Sequence, residues 1–201
     1  MYPRDVVHPA KWYSRVPFWG YLLFAAALLV IAASIEHAMG RLTICKCGVI
    51  RFWVGSTKSP ENSQQIADWY SFSHIIHGFI LYGVFRAIGR NRWPVGLCFA
   101  LAVLCECTWE VVENSPIIIG RYRQTMSQDY LGDTIVNSMS DILFCVLGFW
   151  IARRIPVWAT LALIVVMEVG CALIIRDNLT LNVIMLIHPF EAIKRWQMGA
   201  G

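Results

Sequence analysis

Glu106, Glu110 and Glu113 fall at i, i+4 and i+7 within a segment that is otherwise apolar enough to cross a membrane. On a helix that spacing gathers them into an arc of about 60° on one face. A carboxylate facing lipid near mid-bilayer costs roughly 2.5–3.5 kcal/mol on insertion scales, so three on one stripe require a protein-lined or wet cavity. Two further stripes carry complementary chemistry. His74 and His77, at i and i+3, are spaced as paired metal ligands or as a base with its orienting partner. Asp133, Asn137 and Asp141, at i, i+4 and i+8, offer oxygens along an arc of about 80°, which suits a hard divalent cation.

These residues support two readings of one site. As a metal centre, His74, His77, Glu110, Asp133, Asn137 and Asp141 hold a divalent ion. As an acid/base centre, Glu106, Glu110, Glu113, His74 and His77 share the proton chemistry, with Glu106 or Glu113 as a base kept neutral-prone by a low dielectric. Arg121, Arg123 and Arg176, with Asn114, are candidates for holding an anionic, phosphate-bearing head group. Each group also has an ordinary structural use. The histidines could bond acidic neighbours across a helix interface, Asp133 could cap the helix that follows it, and interfacial Arg and Tyr are common membrane anchors. Trp69, Tyr70 and Trp109 read as interfacial belt residues, Glu36 and His37 as the end of the first helix, and Glu168 as a partner for Arg176 or a member of the cavity.

The elements that must position these groups are transmembrane helices. The chain has 201 residues, 57% of them hydrophobic and 15% charged, with a mean hydropathy of +0.54, which is too apolar for an ordinary soluble domain. The net charge of +4 comes without a Lys/Arg-rich run, which argues against a nucleic-acid partner. We expect an all-α polytopic bundle forming one integral membrane domain over 1–201, with helices at about 17–37, 68–88, 93–115, 132–152 and 156–176. The first is read as an uncleaved span rather than a signal peptide, and Pro116 stops the third. Leu179 to Ile187 is too short to span and is expected as an interfacial or re-entrant helix. Residues 40–67 form a cap, either a short hairpin or irregular, and Cys45 and Cys47 within it are open to a disulfide, a metal contact or a reduced turn. The five other cysteines lie in apolar segments as packing residues.

Basic residues set the expected orientation. Arg4, Lys11 and Arg15, then Arg86, Arg90 and Arg92, then Arg153 and Arg154 occupy short segments that alternate with longer, mixed-charge ones containing Glu61, Asp68, Asp129, Asp177 and Glu191. That density favours a cytoplasmic N-terminus, five spans and a periplasmic C-terminus. The same topology brings the polar ends of four helices to one side of the membrane, a clustering that survives if the absolute orientation is reversed.

Cys45-Lys-Cys47-Gly48, Asp68-Trp69-Tyr70 with Ser73-His74-Ile-Ile-His77-Gly78, Trp109-Glu110-Val-Val-Glu113-Asn114-Ser115, Gly132-Asp133 with Asn137-Ser138 and Asp141, and Arg176-Asp177-Asn178 resemble an uncharacterised family of alphaproteobacterial multi-pass inner-membrane proteins. The resemblance runs from about residue 40 to the end of the chain and implies the cell inner membrane as location. A looser similarity, through an acidic residue and His at one helix start, a Trp-Glu helix and a later Asp/Asn helix, links the chain to VanZ-like membrane proteins. The leading expectation is an enzyme acting on a lipid-linked or phosphate-bearing small molecule among membrane lipids. A proton- or ion-coupled carrier and a structural membrane subunit are its rivals.

Overall fold

A computed structural model describes residues 12–90, 92–125 and 130–199. Arg4, Lys11 and Asp129, used above to weigh orientation, lie outside the described residues. Among the described residues the chain is helical, with no strand. Five helices are long and apolar enough to cross a membrane: α1 (Phe18–Ala38), α2 (Ser71–Ile88), α3 (Val95–Glu113), α5 (Ile135–Arg154) and α6 (Val157–Ile175). The shorter α4 (Pro116–Thr125), α7 (Leu179–Ile187) and α8 (Glu191–Gln197) follow or link them. This is the architecture of a multi-pass membrane protein.

Several expected boundaries shift for local reasons. The second helix begins at Ser71 rather than 68, because the Asp68 carboxylate turns back to accept hydrogen bonds from the backbone N–H of Ser63 and Tyr70, both at 2.8 Å. Pro116 does more than stop the third helix. It opens α4 at the first helical position, where its missing N–H costs nothing. The N-cap of α5 is Thr134, whose hydroxyl accepts from the Asn137 N–H at 3.2 Å, so Asp133 is not the cap and its carboxylate is released for other contacts. The 179–187 segment is the helix expected there. Asn178 caps it, and Glu168 accepts from the Leu179 and Thr180 N–H groups at 3.0 and 3.1 Å. Glu168 therefore serves a helix start and does not pair with Arg176.

The bundle is assembled on close approaches between small residues. α2 packs most extensively on α5, and α1 on α3. At the α2–α5 crossing Gly78 sits against the backbone of Cys145 and Gly148, and Gly148 sits against the carbonyl of Ile75. In a bilayer, where lipid tails are as apolar as leucine, such contacts hold helices together by van der Waals packing. Ala25, Ala32, Cys98, Phe99, Ala102, Val103, Cys107, Ile142 and Phe149 form the buried core. α6 is peripheral, with Leu161, Val165, Val166 and Leu173 exposed on its apolar outer surface.

Of the two forms expected for the 40–67 cap, the irregular one is observed. One isolated bridge joins Trp53 and Ala67, supported by Val54 N–H to Ala67 O at 3.0 Å and Ile66 N–H to Arg51 O at 3.1 Å. Cys45 and Cys47 form a disulfide. The cap is tied to the head of α5 through Ile135 N–H to Leu42 O and Thr134 N–H to Ser63 O, at 2.8 and 3.1 Å.

A methyl group added at Gly78 or Gly148 would overlap backbone atoms that cannot move aside, whereas Gly83 on the same helix as Gly78 faces open space. Gly78→Ala and Gly148→Ala are expected to lower stability by about 1–3 kcal/mol or more, and Gly83→Ala to leave it within about 0.5 kcal/mol. Thermal unfolding of the three variants in one detergent checks this.

Candidate functional site

α2 carries Ser71, His74 and His77 on the turns nearest its start, and α3 carries Glu106, Glu110 and Glu113 on the turns nearest its end. Antiparallel packing of the two helices brings these ends together. His74 Nδ1 lies 2.7 Å from Glu106 Oε1 and 3.2 Å from Glu110 Oε1. His77 Nδ1 approaches the same Glu106 carboxylate at 3.0 and 3.2 Å. Across from α3, α5 supplies Asp141, whose Oδ2 stands 3.9 Å from His74 Nε2 while its Oδ1 accepts from the Ser71 hydroxyl at 3.2 Å. His74, Glu106, Glu110 and Asp141 are all buried. With Glu106 ionised and accepting from Nδ1, the Nε2 of His74 is the ring nitrogen left for a ligand or a proton.

A second layer of polar contacts surrounds this node. Asn114, directly after α3, donates to Asp133 Oδ2 and Ser138 Oγ at 2.9 and 3.0 Å and accepts from the Asp133 N–H at 2.7 Å. Tyr130 donates to Asp133 Oδ1 at 2.8 Å. Tyr122 bonds Glu113 Oε1 and reaches Asn182 Oδ1, each at 2.9 Å. Tyr70 donates to Asp177 Oδ2 at 3.1 Å. Burial pushes the Asp68 and Asp133 carboxyls up, against the hydrogen bonds that each accepts. Burial and the adjoining carboxylates raise the phenols of Tyr70, Tyr122 and Tyr130, so all three remain protonated donors at neutral pH. Asp177 is pushed up to about 6 by burial, opposed by bonds from the Asn178 N–H, Tyr70 and Gln197.

These layers enclose a cavity of about 80 Å³ lined by His74, Glu113, Asp133, Asp141, Tyr122 and Tyr130, with Tyr70, Asn137 and Asn182 alongside. Two sets of side chains bring metal-ligating atoms within 4.8 Å of one another, His74 with His77 and Glu106, and His74 with Glu110 and Glu113. In the first, both imidazoles approach one oxygen of Glu106 at hydrogen-bond length, 2.7 and 3.0 Å. The second retains unused valence. Glu110 is 0% exposed, and neither of its carboxylate oxygens has a hydrogen-bond partner.

The other candidates are placed as follows. Asn137 lines the cavity, but its amide donates to the Gln65 carbonyl at 2.8 Å. Arg121 donates to the Leu186 and Ile187 carbonyls at 3.2 and 3.0 Å, closing the end of α7. Arg123 donates to the Tyr130 carbonyl at 2.6 Å, and Arg176, in the left-handed region at φ 57°, to the Trp196 carbonyl at 3.2 Å. None of the three arginines is among the described residues that line the cavity.

Comparison with known proteins adds the lineage. Residues 36–199 match the family model described as "Protein of unknown function (DUF2585)". The chain belongs to this family. Relatives include the UPF0314 protein of Sphingopyxis alaskensis, 53% identical over 88% of this chain and 94% of its own length. The UPF0314 proteins of Brucella anthropi and Rhizobium meliloti are 51% and 47% identical, over 90% and 92% of this chain and 92% and 93% of theirs. No solved structure matches. The DUF2585 match begins at Glu36, so it takes in the last turn of α1 and all of the site described above.

Glu36, read from the sequence as the end of the first helix, has a further role. It lies in the last turn of α1, as the sequence suggests, but is 0% exposed, so it is also an internal acid. Tyr70 and Tyr130 were also not legible as site residues, since a tyrosine near a helix end carries the same signal whether it faces lipid head groups or a cavity.

Asp177 gives a testable sign. Its folded pKa of about 6 lies above the ordinary aspartate value of 3.8, so between those limits the folded state holds a proton that the unfolded chain has released. Stability therefore falls as pH rises through that window, by at most about 3 kcal/mol. Unfolding midpoints measured from pH 4 to 7 are expected to drop for the wild type and to flatten for Asp177→Asn.

Proposed function

We propose that the protein is a membrane enzyme that binds a divalent metal ion on His74, Glu110 and Glu113 and acts as a hydrolase or transferase on a lipid-linked, phosphate-bearing substrate. The observation that carries this reading is the Glu110 carboxylate, fully buried and making no hydrogen bond, 3.2 Å from the Nδ1 of a histidine that is itself engaged by Glu106 at 2.7 Å. A buried carboxylate that makes no hydrogen bond and shares its one histidine neighbour with Glu106 is costly in a low-dielectric site, and a cation would supply a further partner. A second carboxylate bonded to the far nitrogen of a histidine is also the usual support for a metal-bound imidazole.

A bound divalent ion would supply Lewis-acid polarisation of a phosphoryl oxygen or of water. The residues of the chain would do the remainder. Glu106 holds the His74 ring in one tautomer, and Asp141, 3.9 Å from Nε2, is positioned to take or return a proton at the cavity. With Arg121, Arg123 and Arg176 all engaged with backbone carbonyls, the phosphate would be met by the ion rather than by an arginine clamp. The apolar character of the opposite half of the bundle, with Cys98, Phe99, Val103 and Phe149 buried there, supports an enzyme over a carrier, which needs a polar path from both sides.

The proposal places the polar end at the periplasmic face of the inner membrane. Arg86, Arg90, Arg153 and Arg154 sit at the opposite ends of their helices, as the excess of basic residues on cytoplasmic segments would have them. Elemental analysis of detergent-purified wild type, Glu110→Gln and His74→Ala, each checked for monodispersity, tests the metal. Near-stoichiometric metal in the wild type and its loss in both variants is expected. A wild type that stays metal-free after add-back, or full occupancy in monodisperse Glu110→Gln, overturns it.

A further inference from the structure

Three carboxylates and three tyrosine rings line the cavity, and no lysine or arginine does among the described residues. The Tyr122 and Tyr130 rings meet edge to face, at 89° with centroids 5.4 Å apart. Their hydroxyls are bonded to Glu113 and Asp133, which holds both rings in place and sets negative charge behind them. An electron-rich aromatic face attracts a cation within about 6 Å of its centre, most strongly where water is excluded. An anion with no cation beside it would meet the carboxyl groups of Glu113, Asp133 and Asp141 on the same walls.

One buried carboxylate on this wall, Asp141, has an oxygen that makes no hydrogen bond within the protein. Its Oδ1 accepts from Ser71, and its Oδ2 stands 3.9 Å from His74 Nε2, beyond hydrogen-bond distance. It calls for an N–H donor on a ligand. The volume of about 80 Å³ admits a group of the size of a few water molecules, so the cavity takes a head group rather than a whole lipid.

We infer that the cavity recognises a primary ammonium group, held against Tyr122 and Tyr130 and donating to Asp141, so that the substrate class is a phosphoric ester carrying an amino alcohol. The inference rests on the cavity being the substrate site of the proposed enzyme, and the phosphate of such an ester would lie next to the ammonium. The ester can be a lipid head group or a free compound.

Purified full-length protein is titrated with ethanolamine phosphate, choline phosphate and glycerol phosphate by calorimetry, with metal content measured on the same samples. Saturable binding of ethanolamine phosphate at least tenfold tighter than glycerol phosphate is expected. Monodisperse Tyr130→Leu and Asp141→Asn are each expected to weaken it at least tenfold, with the metal content of Tyr130→Leu unchanged. Vesicles of phosphatidylethanolamine, set against phosphatidylglycerol vesicles, separate the sources: their selective binding without response to the soluble ester supports the lipid form, and the converse supports the free form. Equal affinity for glycerol phosphate, tighter binding of choline phosphate, no binding of any ethanolamine probe, or unchanged binding in both variants overturns the inference. A metal-free wild type that still selects ethanolamine phosphate would overturn the metal reading alone.

Discussion

The structure depends on one imidazole held among carboxylates from two other helices. His74 faces Glu106 and Glu110 of α3 on one side and Asp141 of α5 on the other, with all four side chains buried. Charges taken out of water repay their desolvation only with close partners and good geometry, and removing one partner leaves the others stranded. The node therefore fixes how α2, α3 and α5 can be arranged. The fixing works in both directions, because Asp141 reaches His74 only if α2 and α5 approach as closely as Gly78 and Gly148 allow.

Around the node, irregular backbone is satisfied in a place where it would otherwise be expensive. The cap between α1 and α2 has almost no regular ladder, yet its chain groups are taken up one by one. Gln65 accepts from Arg51 N–H, donates to the Val49 carbonyl and offers its own carbonyl to Asn137, while Gln64 bridges to Gly132. Gly132, at φ 86°, turns the chain into α5 at a point where a side chain would run into Arg41 and Ile119. Backbone polar groups at membrane depth need such partners, and the cap and the ends of the helices supply them to one another. The result is a polar, water-excluding layer at one end of an otherwise apolar bundle.

Much of this was legible in the sequence because helical spacing is a strong constraint. The five spans follow from long apolar runs, and the stripes Glu106, Glu110, Glu113 and His74, His77 fall where a 3.6-residue period puts them. The fourth helix was not legible as a helix, since ten residues with Arg, Tyr and Gln carry no apolar run, and Pro116 signals a stop and a start alike. Glu36 was hidden for a different reason. Its position at the end of a span looks like the membrane surface, and only the packing of α1 against its neighbours makes it interior. The arginines show the limit of residue type as a guide: a guanidinium suited to phosphate is equally suited to the open carbonyls at a helix end, and that is where Arg121 is bonded.

The central claim is that Glu106 fixes His74 so that one ring nitrogen is held inside the protein and the other faces the cavity. Nitrogen NMR of labelled His74 in the lipid-embedded protein reads this directly. The account predicts that Nδ1 carries a hydrogen in a strong bond to Glu106, and that Glu106→Gln shifts this signal while His188, far along the chain at the end of α7, is unmoved. A His74 ring with a bare Nδ1, or one whose signals do not respond to Glu106→Gln, would contradict it.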